Sequence, residues 1–107
     1  MSTAPSPILL VVSLFIPAGR EAELRQFETE AAHIMQRYEG RIERVIRPTA
    51  STLSDSLPYE VHVVSFPSME RFEAYRKDGN LAALAPLRQS AIARTEILIG
   101  EEGEAYL

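Results

Sequence analysis

Cysteine and tryptophan are absent from this sequence, and aromatic residues make up only 7% of it. Without cysteine the chain has no disulfide, no thiolate metal ligand and no thiol nucleophile. Basic residues are also scarce, since 11 Lys and Arg against 15 Asp and Glu give a net charge of −4. Nucleic-acid binding requires a basic surface, so this balance argues against a nucleic-acid partner.

Long hydrophobic runs are missing too. The main apolar run, residues 8–16, is much shorter than the about 20 residues that cross a bilayer. Residues 1–7 carry no Lys or Arg, so they lack the basic start of a signal peptide. We therefore expect a buried strand rather than a membrane segment, no membrane partner, and a cytoplasmic location.

Several motifs with known chemistry do not occur. The chain has no Gly-rich phosphate loop and no Gly-x-Ser-x-Gly elbow. Glu30 and His33 have the Glu-x-x-His spacing of helical metal sites, but only one copy exists and His33 falls on the polar side of its predicted helix. The sequence therefore predicts no metal and no cofactor.

What is present suits one small domain. The 107 residues are 46% hydrophobic, which is typical of a globular protein. We expect a single domain over residues 1–107, with residues 1–7 and 102–107 as flexible or interface tails. Its predicted elements are strands over 8–16, 41–47, 59–66 and 93–99, helices over 20–38 and 69–77, and a helical turn over 81–87.

This order, β-α-β-β-α-β, is that of the α+β ferredoxin-like fold, a four-stranded antiparallel sheet with two helices on one face. The first and third strands are the most apolar, so they should be central. Two helices cover one face only, which leaves an apolar row on the other face exposed to water. We therefore expect a homodimer in which two sheets pack face to face.

Local signals refine these elements. Gly40 follows the first helix, where a left-handed cap is expected, and Ser68 is a suitable N-cap for the second. Asn80 is expected to cap the later turn, which Pro86 should shorten or kink. Along the second strand, strict alternation puts Ile42 and Ile46 on one face.

His62 is the best candidate for a catalytic residue. It lies on a predicted central strand, where an imidazole could act as a general base or orient a small acid. It could equally be a packed histidine with one hydrogen bond. The sequence does not decide whether its side chain faces the helices or a partner sheet.

Three further residues are candidate ligand contacts. Arg88 could clamp a carboxylate, or form a salt bridge or helix cap. Tyr75 could place its hydroxyl in a pocket, or be a half-buried packing residue. Arg44, on the less polar face of its strand, is either a pocket residue or part of an interface ion pair.

The segments VHVVSFPSMERFEAYR (61–76) and LAPLRQSAIARTEILIGE (84–101) carry a family resemblance. Through Phe66-Pro67-Ser68-Met69, Ala74-Tyr75 and Leu84-Ala85-Pro86-Leu87-Arg88, the chain resembles the domain of unknown function 1330 family. That family is a branch of the dimeric α/β-barrel superfamily, which includes the antibiotic biosynthesis monooxygenases. Ser65 departs from the pattern, since members usually carry an acidic residue there.

The resemblance implies a dimeric α/β barrel that binds a small organic molecule. By analogy with superfamily relatives, its expected activity is that of a cofactor-independent monooxygenase or an isomerase. The alternative is a non-catalytic homodimeric module that binds a ligand or a protein. Composition and motifs do not choose between the two.

Overall fold

A computed structural model describes residues 6–106, and within that range the chain forms four strands and four helices. The predicted tail residues 1–5 and 107 lie outside the described residues. In chain order the elements are β1 (Ile8–Phe15), α1 (Glu21–Gln36), β2 (Arg41–Ile46), β3 (Glu60–Phe66), α2 (Met69–Arg76), α3 (Gly79–Ala82), α4 (Ala85–Ala91) and β4 (Arg94–Gly100).

The four strands form one antiparallel sheet in the order β2-β3-β1-β4. This confirms the predicted ferredoxin-like α+β fold, with β1 and β3 at its centre. Each of these two strands is hydrogen-bonded to a neighbouring strand along both of its edges. In the described part of the chain, no helix combines the length and the apolar composition needed to cross a bilayer.

The hydrophobic core lies between the sheet and the helices. Side chains alternate along a strand, so every second residue of β1 and β3 points towards the helices. There they meet the apolar side of α1 and the short helices α2 and α4. The buried apolar residues are Leu10, Leu14, Leu24, Phe27, Ala31, Ile34, Met35, Val64, Phe66, Phe72, Ala91 and Ile92.

Strand β2 departs from the strict alternation predicted for it. Its register against β3 shifts between Ile42 and Arg44, so two residues of β2 occupy the space of one. Beyond the bulge, Val45 pairs with His62 and Ile46 pairs with Val61. The prediction that Ile42 and Ile46 share a face is therefore wrong, because the bulge moves every later side chain to the other side.

The turn after α1 also differs from its prediction. The residue with left-handed backbone is Glu39 (φ 60°), not Gly40. Gly40 is required for a different reason, since a Cβ added there would lie 2.4 Å from Met35 Cγ and 2.5 Å from the ring of Phe66. The absence of a side chain lets the chain pass directly over the core.

Gly40→Ala is therefore expected to lower the free energy of unfolding by about 1–3 kcal/mol, the usual cost of overpacking a core. Urea unfolding followed by circular dichroism would measure the change. Gly79→Ala is the matched control, because a Cβ at Gly79 meets nothing within 4 Å. Equal stability of the two variants would contradict the close approach at Gly40.

The short helices begin where side chains can cap them. Ser68 is the N-cap of α2, as predicted, and its hydroxyl accepts a hydrogen bond from the N–H of Arg71. Helix α3 is capped by Asp78 rather than Asn80, since the Asp78 carboxylate accepts from the N–H groups of Asn80 and Leu81. Pro86 lies in the first turn of α4, where its missing N–H costs nothing, so it starts a helix instead of kinking one.

Candidate functional site

A cavity of about 470 Å³ lies between the helix-facing side of the sheet and the helices. We call it the main cavity. Most of its lining is apolar, from β1, β3, α1 and the helical segment 81–92. Its polar lining is Glu28, His62, Tyr75, Arg76, Arg88 and Thr95.

His62 faces the helices, which answers the question that the sequence left open. Along β3 the residues Glu60, His62, Val64 and Phe66 are all buried, and the residues between them are less so. Only 4% of His62 is exposed. A polar ring this deeply buried requires hydrogen-bond partners.

One carboxylate forms such a bond, and a second lies close by. His62 Nε2 lies 2.8 Å from Glu60 Oε1, and its Nδ1 lies 3.6 Å from Glu28 Oε2. Glu60 is held in turn by Arg47, whose Nε donates to Glu60 Oε2 at 3.0 Å. The imidazole is thus positioned between an acidic residue of α1 and one of its own strand.

The surroundings of the two carboxylates shift their pKa values in opposite directions. Burial raises the pKa of Glu60, but hydrogen bonds from His62 and Arg47 outweigh it and hold that pKa below its usual range. Burial is also the largest influence on Glu28, and the nearby Glu60 adds to it. Although His62 and Arg88 oppose both, the pKa of Glu28 is raised. At neutral pH Glu60 is therefore a fixed anion, whereas Glu28 changes protonation more readily.

Glu28→Gln should be more stable than the unmodified chain at high pH but not at low pH. A group whose pKa is raised by folding favours the folded state below its unfolded pKa, here 4.5, and that contribution is lost as pH rises through the folded pKa. The amide does not ionise, so the variant should be more stable than the unmodified chain at pH 8 and lose this advantage near pH 4. Urea unfolding at the two pH values measures it. Glu30→Gln, at an exposed position on the same helix, should show no such trend.

Tyr75 and Arg88 line the main cavity together with His62. Burial raises the pKa of Tyr75, and its ring packs 5.5 Å from that of Phe66. Arg88 donates from Nη2 to Thr95 Oγ1 at 3.3 Å, and within residues 6–106 it forms no salt bridge. Its charge is therefore available to an anion in the cavity.

Arg44 is not brought to the cavity. Because of the bulge it pairs with Val63, on the side of the sheet away from the helices, and it is exposed. The arginine that contacts the His62 cluster is Arg47, three residues later. No pattern in the sequence indicates this exchange, since a bulge depends on strand pairing rather than on composition.

Glu28 is the site residue that sequence reasoning missed. It lies four residues after Leu24 and three before Ala31, so it falls on the buried side of α1. A charged residue in that row is unusual, because burial of a carboxylate is costly without a partner. A glutamate in the buried row of a helix was therefore the sequence signal that could have identified Glu28.

The cluster is not arranged as a metal site. In the described part of the chain, no group of three or more His, Asp or Glu side chains could hold a metal ion. Here His62 Nε2 is already bonded to Glu60, and the second oxygen of Glu60 is bonded to Arg47. What the arrangement offers instead is a base whose orientation is fixed.

No family model and no curated protein sequence matches this chain. Solved structures do match in fold. A protein of unknown function from Rhodopseudomonas palustris has a TM-score of 0.84 at 12% identity, over 94% of this chain and 85% of its own. SnoaB, a cofactor-independent oxygenase from Streptomyces nogalater, has a TM-score of 0.70 at 12% identity, over 94% and 96%.

A third structure is that of a dabb family protein with a ferredoxin-like fold from Mesorhizobium loti. Its TM-score is 0.65 at 15% identity, over 92% of this chain and 98% of its own. Identities this low demonstrate a shared fold only. The shared fold is ferredoxin-like, as in the Mesorhizobium loti protein, and no match to the domain of unknown function 1330 family was found.

Proposed function

Starting from a fold shared with a cofactor-independent oxygenase, we propose that this chain is a homodimeric enzyme that binds a small organic acid in its main cavity. His62 removes a proton from that molecule. The observation that carries the proposal is the cavity itself: about 470 Å³, mostly apolar, with a buried, oriented imidazole and an unpaired guanidinium in its lining. Small-molecule sites are typically about 300–1,000 Å³ with few polar groups.

The chemistry follows from the state of the imidazole. Because Glu60 is a fixed anion, it accepts a hydrogen bond from Nε2–H of His62, which leaves Nδ1 as the basic nitrogen. Nδ1 takes the proton from an acidic C–H or O–H of the substrate, and the electron pair of that bond stays on the substrate. Cofactor-independent oxygenation and isomerisation can both begin with such an anion. The domain of unknown function 1330 family remains our proposed branch.

Arg88 gives the proposed site a preference for negative charge. A guanidinium binds a carboxylate or an enolate through two parallel hydrogen bonds, and no side chain of residues 6–106 forms a salt bridge with it. Tyr75 adds a neutral hydroxyl, because its raised pKa keeps the proton on. We expect a ligand with an apolar body and one anionic group.

Thermal-shift screening against small aromatic and aliphatic carboxylates tests the proposal. We expect a subset of aromatic carboxylates to raise the melting temperature of the unmodified chain. Arg88→Ala should weaken that binding about tenfold or more, since a charge-assisted hydrogen bond contributes about 1.5–3 kcal/mol.

Arg44→Ala is the matched control, because it removes the same charge from the opposite side of the sheet. It should bind as the unmodified chain does. Equal losses in the two variants, or no ligand that stabilises the unmodified chain, would contradict the proposed site.

The homodimer is proposed from the side of the sheet that lacks helices, which we call the outer face. Its central strands present Leu9, Val11, Val61 and Val63, and Val11 pairs with Val63 and with the 73% exposed Leu98. Charged residues occur on its edge strands, including Arg44, Arg94 and Glu96. An apolar centre with a polar rim is the usual anatomy of a protein interface.

The size of the outer face suits a second copy of this chain. Four strands about 4.8 Å apart and about 23 Å long cover roughly 450 Å² in projection. Side chains that rise above the plane enlarge the accessible area, so two copies would bury about 1,000 Å² in total. That is the lower bound for a specific interface.

A further inference from the structure

A second cavity, of about 360 Å³, lies on the other side of His62. It is bounded by α1, by β2 and by the start of β3. A larger share of its lining residues is polar than in the main cavity, and these residues include Glu21, Arg25, Thr29, Arg47 and Tyr59. We call it the side cavity.

The wall between the two cavities contains the residues that line both, Glu28, Ile42 and His62. Glu28 and His62 line both cavities, whereas Glu60 lines only the side cavity. A base in the main cavity is thus one side chain away from a separate polar opening. A base that turns over must release the proton it has taken, and a bound ligand would occupy the main-cavity side of the imidazole.

We propose that Glu28 carries this proton from His62 Nδ1 to water in the side cavity, while Glu60, fixed by Arg47, keeps the opposite nitrogen protonated. This role rests on the proposed function of His62. Glu28 Oε2 is the carboxylate oxygen at 3.6 Å from Nδ1, a gap that a small side-chain movement closes. Glu28 is a relay and Glu60 is a positioning residue.

The transfers balance without any further reactant. The substrate X–H bond breaks, Nδ1–H forms, and His62 becomes an imidazolium between two carboxylates. Nδ1–H then breaks as Glu28 Oε2–H forms, and His62 returns to its neutral form. Finally Glu28 gives the proton to water in the side cavity. The net change is loss of one proton from the substrate to solvent.

The charged surroundings of Glu28 support this assignment. His62 and Glu60 face it from β3, Arg88 from α4, and the neutral Tyr75 from α2. Burial, the largest influence, raises the pKa of Glu28, so this carboxylate accepts a proton more readily than an ordinary glutamate does. A group that can both accept and release a proton suits a relay. Glu60, whose pKa is lowered, suits a fixed anion.

Nuclear magnetic resonance of the histidines tests the inference without any ligand. The chain has two histidines, and the exposed His33 is an internal reference. With 15N-labelled histidine above pH 8, we expect Nε2 of His62 to carry the proton and Nδ1 to be bare. A proton on Nδ1 in the neutral form would overturn the role of Glu60.

The relay is tested by the rate at which His62 exchanges protons with water. Relaxation dispersion of its 13Cε1 signal, recorded at the midpoint of its titration, reports this rate. Glu28→Gln should slow it about 10²-fold, the lower end of what a positioned acid–base group contributes. The control Glu30→Gln should leave it unchanged. An unchanged rate in Glu28→Gln would overturn the relay.

The route is tested by filling the side cavity. Ala32 and Thr29 line it but do not line the main cavity, so Ala32→Leu and Thr29→Leu narrow only the side cavity. Cooperative unfolding shows that a variant is folded. Each folded variant should slow proton exchange between His62 and water and leave the tautomer of His62 unchanged. An unchanged exchange rate in both variants would contradict the side cavity as the route of the proton to water. These measurements need no ligand, whereas the carboxylate screen does. Failure of the relay is therefore distinguishable from failure of the proposed function.

Discussion

Val63→Lys is expected to be monomeric at micromolar concentration, where we expect the unmodified chain to be dimeric. Val63 lies on a central strand and pairs with Val11 of β1 and Arg44 of β2, so its side chain stands in the middle of the outer face. In a face-to-face dimer each interface would contain two such lysines. Burial of an unpaired ammonium costs several kcal/mol, and each 1.4 kcal/mol weakens association tenfold.

Sedimentation velocity over a concentration series measures the effect, which should be a loss of affinity of about 100-fold or more. Gln26→Lys is the control, because it adds the same charge at an exposed position of α1 and should leave the dimer intact. A monomeric unmodified chain would contradict the dimer, and a dimeric Val63→Lys would contradict this face as its interface.

His62→Leu is expected to lower the free energy of unfolding by about 3 kcal/mol at pH 7. The leucine fills the space but leaves the buried Glu60 without its hydrogen bond from His62, with Glu28 nearby, and loss of the partner of a buried charged group costs about 3 kcal/mol or more. Arg47 still compensates Glu60, so the expected loss lies at the lower end.

The loss should depend on pH in a defined direction. His62 lowers the pKa of Glu28, so without it that pKa rises further above 4.5. The destabilisation is then present at high pH and diminishes as pH falls through the folded pKa towards 4.5, because Glu28 becomes neutral. Urea unfolding at pH 5 and pH 8 checks this. His33→Leu should change stability by less than about 0.5 kcal/mol at both values, since His33 is exposed. Equal effects of the two leucine variants would show that His62 is only a packing residue.

The predicted elements agree with the structure because hydrophobic periodicity is a local property. Residues 8–16 are apolar on both faces, which indicated a central strand, and β1 pairs with both β3 and β4. Ser68 was identifiable as a cap because capping involves only a few neighbouring residues. The errors occurred where a residue's surroundings come from distant parts of the chain: at the β2 bulge, at Gly40 and at the cap of α3.

The candidate site shows the same division. The β3 pattern already placed Glu60 and His62 on one face, since side chains two apart on a strand point the same way. It did not indicate that Arg47 and Glu28 would meet them, because those contacts join β2, β3 and α1. Arg88 was singled out from a motif, and its position in the cavity depends on how α4 packs against the sheet.

By itself, the sequence determined the order of strands and helices, the two central strands and the apolar excess that the helices cannot cover. These follow from periodicity and composition, which act along the chain. Only the tertiary structure decided that His62 points towards the helices, that Glu28 and not Arg44 joins it, and that a cavity lies beside them. Burial, pairing register and the balance of buried charges depend on which distant residues come together, and no local pattern encodes that.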